Sequence, residues 1–100
     1  MNRSRSHDDA VIEMLRADPD LASAYLQAAL AELHEEGGHA ALLCALRQIV
    51  EARGGFVLIA EKAGVSARSL HRALSPNGNP TLRTMASVAS AAGLRFAAAP

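Results

Sequence analysis

The chain has 100 residues, half of them apolar, and its ten basic side chains are balanced by ten acidic ones. That length suits one domain of the roughly 100–200 residue class, and the apolar fraction excludes disorder throughout. Phe56, Phe96 and Tyr25 are its three aromatics, which argues against an all-β sandwich and against an aromatic platform for single-stranded nucleic acid.

Met1 to Asp9 is polar and lacks the apolar run of a secretory leader. No stretch reaches the ~20 apolar residues of a membrane span, so the expectation is a cytoplasmic chain with no membrane partner. A first amphipathic helix is predicted from about His7 to Ala17, capped by Ser6, with Val11, Ile12 and Leu15 as its apolar stripe. Asp18-Pro19 stops it and starts the next, because aspartate caps well and proline suits the first helical position. Leu21, Tyr25, Leu26, Leu30 and Leu33 carry the second helix to Gly37-Gly38. The third runs from Ala40 to about Arg53, with Leu42, Leu43, Leu46, Ile49 and Val50 on a broad apolar face. Cys44 lies within that face and reads as a small buried residue; a single cysteine allows no intramolecular disulfide and no multi-cysteine zinc site.

A short helix from Phe56 to Ala63 ends at Gly64, and Ser66 caps another that runs to about Leu74. The turn-forming run Ser75-Pro76-Asn77-Gly78-Asn79-Pro80 comes next. Asn79 is expected to cap a last helix with Pro80 at its first position, ending at Gly93. Leu94, Phe96 and Ala98 then alternate with Arg95 and Ala97. Two readings stand for that segment: a short strand pairing with a second copy or another protein, which makes Leu94 and Phe96 dimerisation residues, or a tail packing both on the core.

The segment from Phe56 to Leu74 has the spacing of a helix-turn-helix. Ala60 is small where the second helix crosses the first, Gly64 permits the left-handed turn, and Ser66 caps the second helix. Ile59, Val65, Leu70 and either Ala73 or Leu74 supply a shared core. A helix from Ser66 to Ser75 spans ~15 Å and suits a major groove. The candidate DNA contacts are therefore Ser66, Ala67, Arg68, Ser69 and Arg72, with His71 nearby and Lys62 and Arg83 placed for the phosphate backbone. A purely structural helical hairpin is the alternative.

Charge supports the first reading. Residues 1–52 hold four basic and nine acidic residues, a balance of −5, and residues 53–100 hold six basic and one acidic, a balance of +5. Zero net charge thus conceals two surfaces suited to different partners.

Several runs resemble a known family. They are Tyr-Leu-Gln-Ala-Ala-Leu (25–30), Leu-Arg-Gln-Ile-Val-Glu-Ala-Arg-Gly-Gly (46–55), Ala-Leu-Ser-Pro-Asn-Gly-Asn-Pro (73–80) and Ala-Gly-Leu-Arg-Phe (92–96). Over about residues 20–97 the chain resembles the HigA-type addiction-module antidotes, helix-turn-helix antitoxins of bacterial type II toxin–antitoxin pairs. The resemblance implies an all-α, lambda-repressor-like domain of about five or six helices. Residues 1–19 fall outside it and read as an N-terminal extension or first helix, with 20–100 as the antitoxin domain of one globular unit. It also implies a homodimer that represses its own operon on double-stranded operator DNA, and that neutralises a RelE/HigB-like ribonuclease toxin. Carried over by position, Ala67, Arg68, Ser69 and Arg72 fall on the recognition helix. Phe56 departs from the pattern, standing where many related motifs hold a glutamine that anchors to phosphate.

RelE-like toxins are generally basic, so the acidic half is the expected toxin face. Its candidates are Asp8, Asp9, Glu13, Asp18, Glu32, Glu35 and Glu36, with Leu15, Leu21 and Tyr25 as apolar members, for which the domain's own core is the favoured reading. Enzyme readings find little support. His34 and His39 are five apart with Gly37-Gly38 between them, which breaks the i, i+4 spacing of a helical zinc site. No nucleophile elbow, phosphate-cradling loop or dinucleotide fingerprint is present, so no metal or cofactor is expected. The rival readings are a solitary prophage-type regulator without a toxin and an adaptor whose helix-turn-helix no longer binds DNA.

Overall fold

The computed structural model describes residues 3–94, with side chains from residue 6 onward. Six helices succeed one another: α1 (Arg3–Ala17), α2 (Pro19–Ala31), α3 (Gly38–Ala52), α4 (Phe56–Ala63), α5 (Ala67–Ala73) and α6 (Leu82–Ala91). There is no strand among the described residues. No described helix is long and apolar enough to cross a membrane.

Helix α3 is the axis of the packing. Its Leu42, Leu43, Leu46, Ile49 and Val50 recur at helical spacing and are all buried. Leu15 of α1 with Ala22 and Leu26 of α2 meets this stripe on one side. Phe56, Ile59 and Ala60 of α4, Leu70 and Leu74 around α5, and Val88 and Ala89 of α6 complete the same cluster. Each fully buried leucine or isoleucine contributes roughly 1.5–3 kcal/mol relative to exposure.

One buried polar residue interrupts the core. Gln48 on α3 is 4 % exposed. It accepts a hydrogen bond from the Tyr25 hydroxyl on α2 and donates through Nε2 to Asp8 Oδ1 on α1 at 2.6 Å. Three helices are thereby held in one register. Two arginines of the α3 segment reach the opposite layer. Arg47 Nη1 donates to the Leu74 carbonyl at 2.5 Å, and Arg53 Nε donates to the Ala92 carbonyl at 3.1 Å. Each places a cation at a helix C-terminus, where the unpaired carbonyls and the helix dipole favour it.

Several boundaries differ from the sequence expectation. Helix α1 begins at Arg3, so Ser6 lies inside it rather than at its cap. Asp18 does cap α2, its Oδ1 accepting from the Asp20 and Leu21 N–H groups at 3.1 and 3.2 Å. Helix α2 stops at Ala31, six residues short of the Gly37-Gly38 pair, and Leu33 is exposed in the turns beyond it. Gly38 is the first residue of α3, packed so closely that a Cβ there would collide with the Glu32 and Leu33 carbonyls. The last helix starts two residues later than expected. Thr81, not Asn79, is its cap, with Thr81 Oγ1 accepting from the Thr84 N–H at 3.0 Å. Both residue types cap well, and the preceding loop decides between them. Gly78 closes that loop by donating to the Ser75 carbonyl at 2.8 Å while resting against Ala73.

Leu94 is 7 % exposed and belongs to the core, its N–H donating to the Ala89 carbonyl at 2.8 Å. The rest of the expected strand, Phe96 included, lies outside the described residues.

Candidate functional site

Helices α4 and α5 are joined by Gly64, Val65 and Ser66. Gly64 has φ 77°, a left-handed conformation that costs a residue with a Cβ roughly 1–2 kcal/mol. The Val65 N–H returns to the Ala60 carbonyl at 3.0 Å, the six-to-one bond of a Schellman ending. Ser66 Oγ then accepts from the Ser69 N–H at 3.0 Å and donates to Ser69 Oγ at 2.9 Å. These contacts fix α5, seven residues long and so about 10 Å, across the end of α4.

The exposed face of this pair is basic. Arg68 and Arg72 are exposed and four residues apart on α5, hence on one face. Lys62 and Arg83 are exposed on α4 and α6. Among the described residues none of these four takes part in an ion pair; the pairs formed are Arg16–Glu13 and His34–Glu35. Ser69 and Arg72 border a hollow of about 390 Å³ with Ala73, Ser75, Asn77, Gly78 and Asn79. Ser69 also borders a smaller one, about 230 Å³, that includes Asn79, Pro80, Thr81 and Thr84. The sequence reading named Asn79 as a helix cap and counted none of Asn77, Asn79, Thr81 and Thr84 among the DNA contacts. Asn77 and Asn79 lie in the turn-rich run, which read as a connection rather than as a neighbour of the arginines.

Other candidates are placed differently. Ala67 is half-buried and packs on the core. Lys62 sits apart from Arg72, over a hollow of about 690 Å³ shared with Ala86, Ser87, Ser90, Ala91 and Gly93. Phe56 is 8 % exposed and its ring lies flat under that of His71, centroids 3.8 Å apart and planes 9° from parallel. The ring of His71 is thereby turned onto α4, towards a groove on the α1 side of the molecule.

That groove, about 710 Å³, is lined by His7, Asp8, Asp9 and Ile12 of α1, Cys44, Arg47, Gln48 and Glu51 of α3, and Phe56 and His71. Cys44 is half-buried at its wall. Burial, then the proximity of Cys44 and of Asp8, holds the Tyr25 phenol above its ordinary value of 10.0.

The acidic candidates separate into groups. Asp8 and Asp9 share the groove with Glu51, which the sequence reading left out. Glu13 pairs with Arg16 at 2.6 Å, and Asp18 serves as the α2 cap. Glu32, Glu35 and Glu36 are exposed in the turns before α3, where Glu35 meets His34 Nε2 at 3.0 Å. Leu15 is buried, and Leu21 and Tyr25 pack half-buried against the core. The two histidines weighed as metal ligands are engaged elsewhere, His39 Nε2 donating to the Gly78 carbonyl at 3.0 Å. Among the described residues no three His, Cys, Asp or Glu side chains converge on a metal position.

Comparison with known proteins gives a consistent picture. A family model described as "Probable addiction module antidote protein" matches residues 7–100. The match therefore takes in most of α1, well before residue 20, where the sequence resemblance begins. An "Uncharacterized protein" of Haemophilus influenzae is 39% identical over 71 residues, covering 71% of this chain and 72% of the relative. No solved structure matches.

Proposed function

The chain belongs to the addiction module antidote family, and from that premise we propose that it is the antitoxin of a type II toxin–antitoxin pair, with α4 and α5 forming a helix-turn-helix of lambda-repressor type. The observation that carries the DNA role is the α4–Gly64–α5 unit, whose outer face presents Arg68 and Arg72 with no acidic partner among the described residues. In this reading α5 enters the major groove of operator DNA and the two arginines meet base edges or phosphates. Ser66 and Ser69 stand at its N-terminal end, Ala67 supports the helix from below, and Lys62 and Arg83 track the phosphate backbone. Asn77 and Asn79 flank Arg72 and extend the polar face. His71 stacks on Phe56 and turns to the groove on the α1 side rather than to this surface.

A homodimer places two such helices about 34 Å apart on a palindromic operator, so that the protein represses its own transcription. Leu94 lies inside the protomer's own core, so it is no longer assigned to the dimer contact. The toxin is a RelE/HigB-like ribonuclease met by the acidic α1–α3 half, and the complex acts in the cytoplasm without a cofactor.

Two measurements test the reading. Co-expression with the product of the adjacent reading frame is expected to yield a stable complex and to relieve growth inhibition; a neighbour that is neither bound nor toxic removes the antitoxin role. Titration of upstream DNA is expected to show saturable, salt-dependent binding, weakened by Arg68→Ala and by Arg72→Ala. Binding unchanged in both variants across a salt series removes the DNA role.

A further inference from the structure

The groove between α1, α3 and the Phe56–His71 stack has a charge and shape that the DNA face does not use. Three carboxylates, Asp8, Asp9 and Glu51, border it. Of these Asp8 is half-buried and already accepts from Gln48, whereas Asp9 and Glu51 are exposed. Arg47 also lies in the wall, but its guanidinium is directed at the Leu74 carbonyl. The Phe56–His71 stack, 3.8 Å between rings, lines the same groove.

A concave site lined by carboxylates and a flat aromatic surface suits one kind of side chain above others. A guanidinium can donate to a carboxylate through its edge while stacking its face on an aromatic ring, and its alkyl stem accepts apolar contact. Ammonium groups satisfy the charge requirement without the planar fit. At about 710 Å³ the groove exceeds what one side chain fills, so it has room for a short stretch of chain.

We infer that this groove is a docking site for an arginine-bearing segment of a protein partner, held by Asp9 and Glu51 and by the Phe56–His71 stack. The inference rests on the antitoxin reading only for the partner's identity: it narrows the toxin face from the whole acidic half to one groove. It also divides the acidic residues into those that bind and those that only contribute field. The exposed glutamates at the turns before α3 belong to the second group, because they border no such aromatic wall.

The groove is read directly by nuclear magnetic resonance titration of the isolated chain. The probe is the peptide acetyl-Gly-Arg-Gly-Arg-Gly-amide, with citrulline replacing both arginines in the control. Shifts are expected to concentrate at Ile12, Cys44, Glu51 and His71, and the citrulline peptide is expected to leave them unmoved. Asp9→Lys combined with Glu51→Lys should weaken binding by about tenfold or more, as loss of two modest ion pairs plus repulsion requires. Glu35→Lys combined with Glu36→Lys has the same net charge and should change it by no more than about twofold, the residue of a screened long-range field. Equal losses in the two double variants, shifts centred on residues 32–36, or equal binding of the citrulline peptide would each overturn the groove. Toxin capture by the same variants is a separate readout. A wild-type chain that captures no toxin ends the antitoxin reading while the peptide titration still decides the groove.

Discussion

Tyr25→Phe removes one oxygen atom from the junction that seats α1. The Tyr25 hydroxyl donates to Gln48 Oε1, and Gln48 is 4 % exposed. In the variant that carbonyl oxygen keeps its burial and loses its donor, a cost of about 1–3 kcal/mol. In a domain this small each kcal/mol moves Tm by roughly 4–8 °C. The phenol also reports on itself by titration. Burial, then Cys44 and Asp8, raises its pKa above 10.0, so the folded chain holds that proton more tightly than the unfolded chain. The associated stability is complete below about pH 10 and is lost as pH rises through the folded value. Tyr25 is the sole tyrosine and the sequence has no tryptophan, so tyrosinate absorbance tracks this group alone. The native protein is expected to ionise at higher pH than the urea-unfolded chain. Its Tm should also fall more steeply above pH 10 than that of Tyr25→Phe. Gln48→Leu supplies the cycle: the double variant should lose less than the sum of the singles, by about 0.5–3 kcal/mol. Additive losses, together with a native phenol titrating like the unfolded one, would refute the network.

The same geometry sets other outcomes. A base contact by Arg68 or Arg72 predicts a loss of about 1–3 kcal/mol in operator affinity on truncation to alanine, with relaxed preference at one base pair. A phosphate contact by Lys62 instead predicts a salt slope shallower by about 0.9 and no change in preference, both read by fluorescence anisotropy. Gly78→Ala drives a Cβ into the Ala73 carbonyl, so urea denaturation should show a loss of about 1–3 kcal/mol. His71→Ala should cost about 0.5–1.5 kcal/mol through its lost ring stack and leave the operator salt slope unchanged; a shallower slope would make His71 a phosphate contact.

Helix positions were legible wherever an apolar period met a strong local stop. Phe56–Ala63 was read to the residue because Gly55 and Gly64, both with positive φ, bracket a continuous stripe. Asp18-Pro19 worked for the same reason. The reading erred where two capping residues lay close together, as with Asn79 and Thr81, since propensity ranks them alike and only loop closure chooses. It erred again at residues 32–37, where an acidic run compatible with helix gives way to turns before Gly38 packs on the Glu32 carbonyl. On the candidate DNA face, the helix-turn-helix spacing and the four-residue interval place Arg68 and Arg72 together on α5, where both are exposed. Glu51 and Phe56 as groove walls were not, because their partners come from α1 and α5, and no local pattern encodes a meeting across that separation. Gln48 was invisible for a similar reason: one polar residue on an apolar face reads as an exception until Tyr25 and Asp8 are seen on either side.

The split in charge along the chain acquires a spatial meaning at α5. The acidic half builds α1, α2 and α3, the basic half builds the rest, and Arg47 binds the end of α5 across the boundary. The docking groove lies where the halves meet, so its aromatic wall belongs to the basic half while its carboxylates belong to the acidic one. On α5, at about 100° per residue, His71 stands roughly 60° from Arg68 and 100° from Arg72. A segment in the groove would therefore rest on a flank of the helix next to the one that carries the arginines. The two binding events share an element and occupy neighbouring flanks of it. Energetic coupling between them has a route through the seating of α5, of which the Phe56–His71 stack and the Arg47–Leu74 hydrogen bond are the contacts on the groove side. Coupling of that kind is reciprocal. A partner that tightens DNA binding by some factor is itself bound more tightly on DNA by the same factor, whereas a partner that merely covered the arginines would abolish one complex in forming the other.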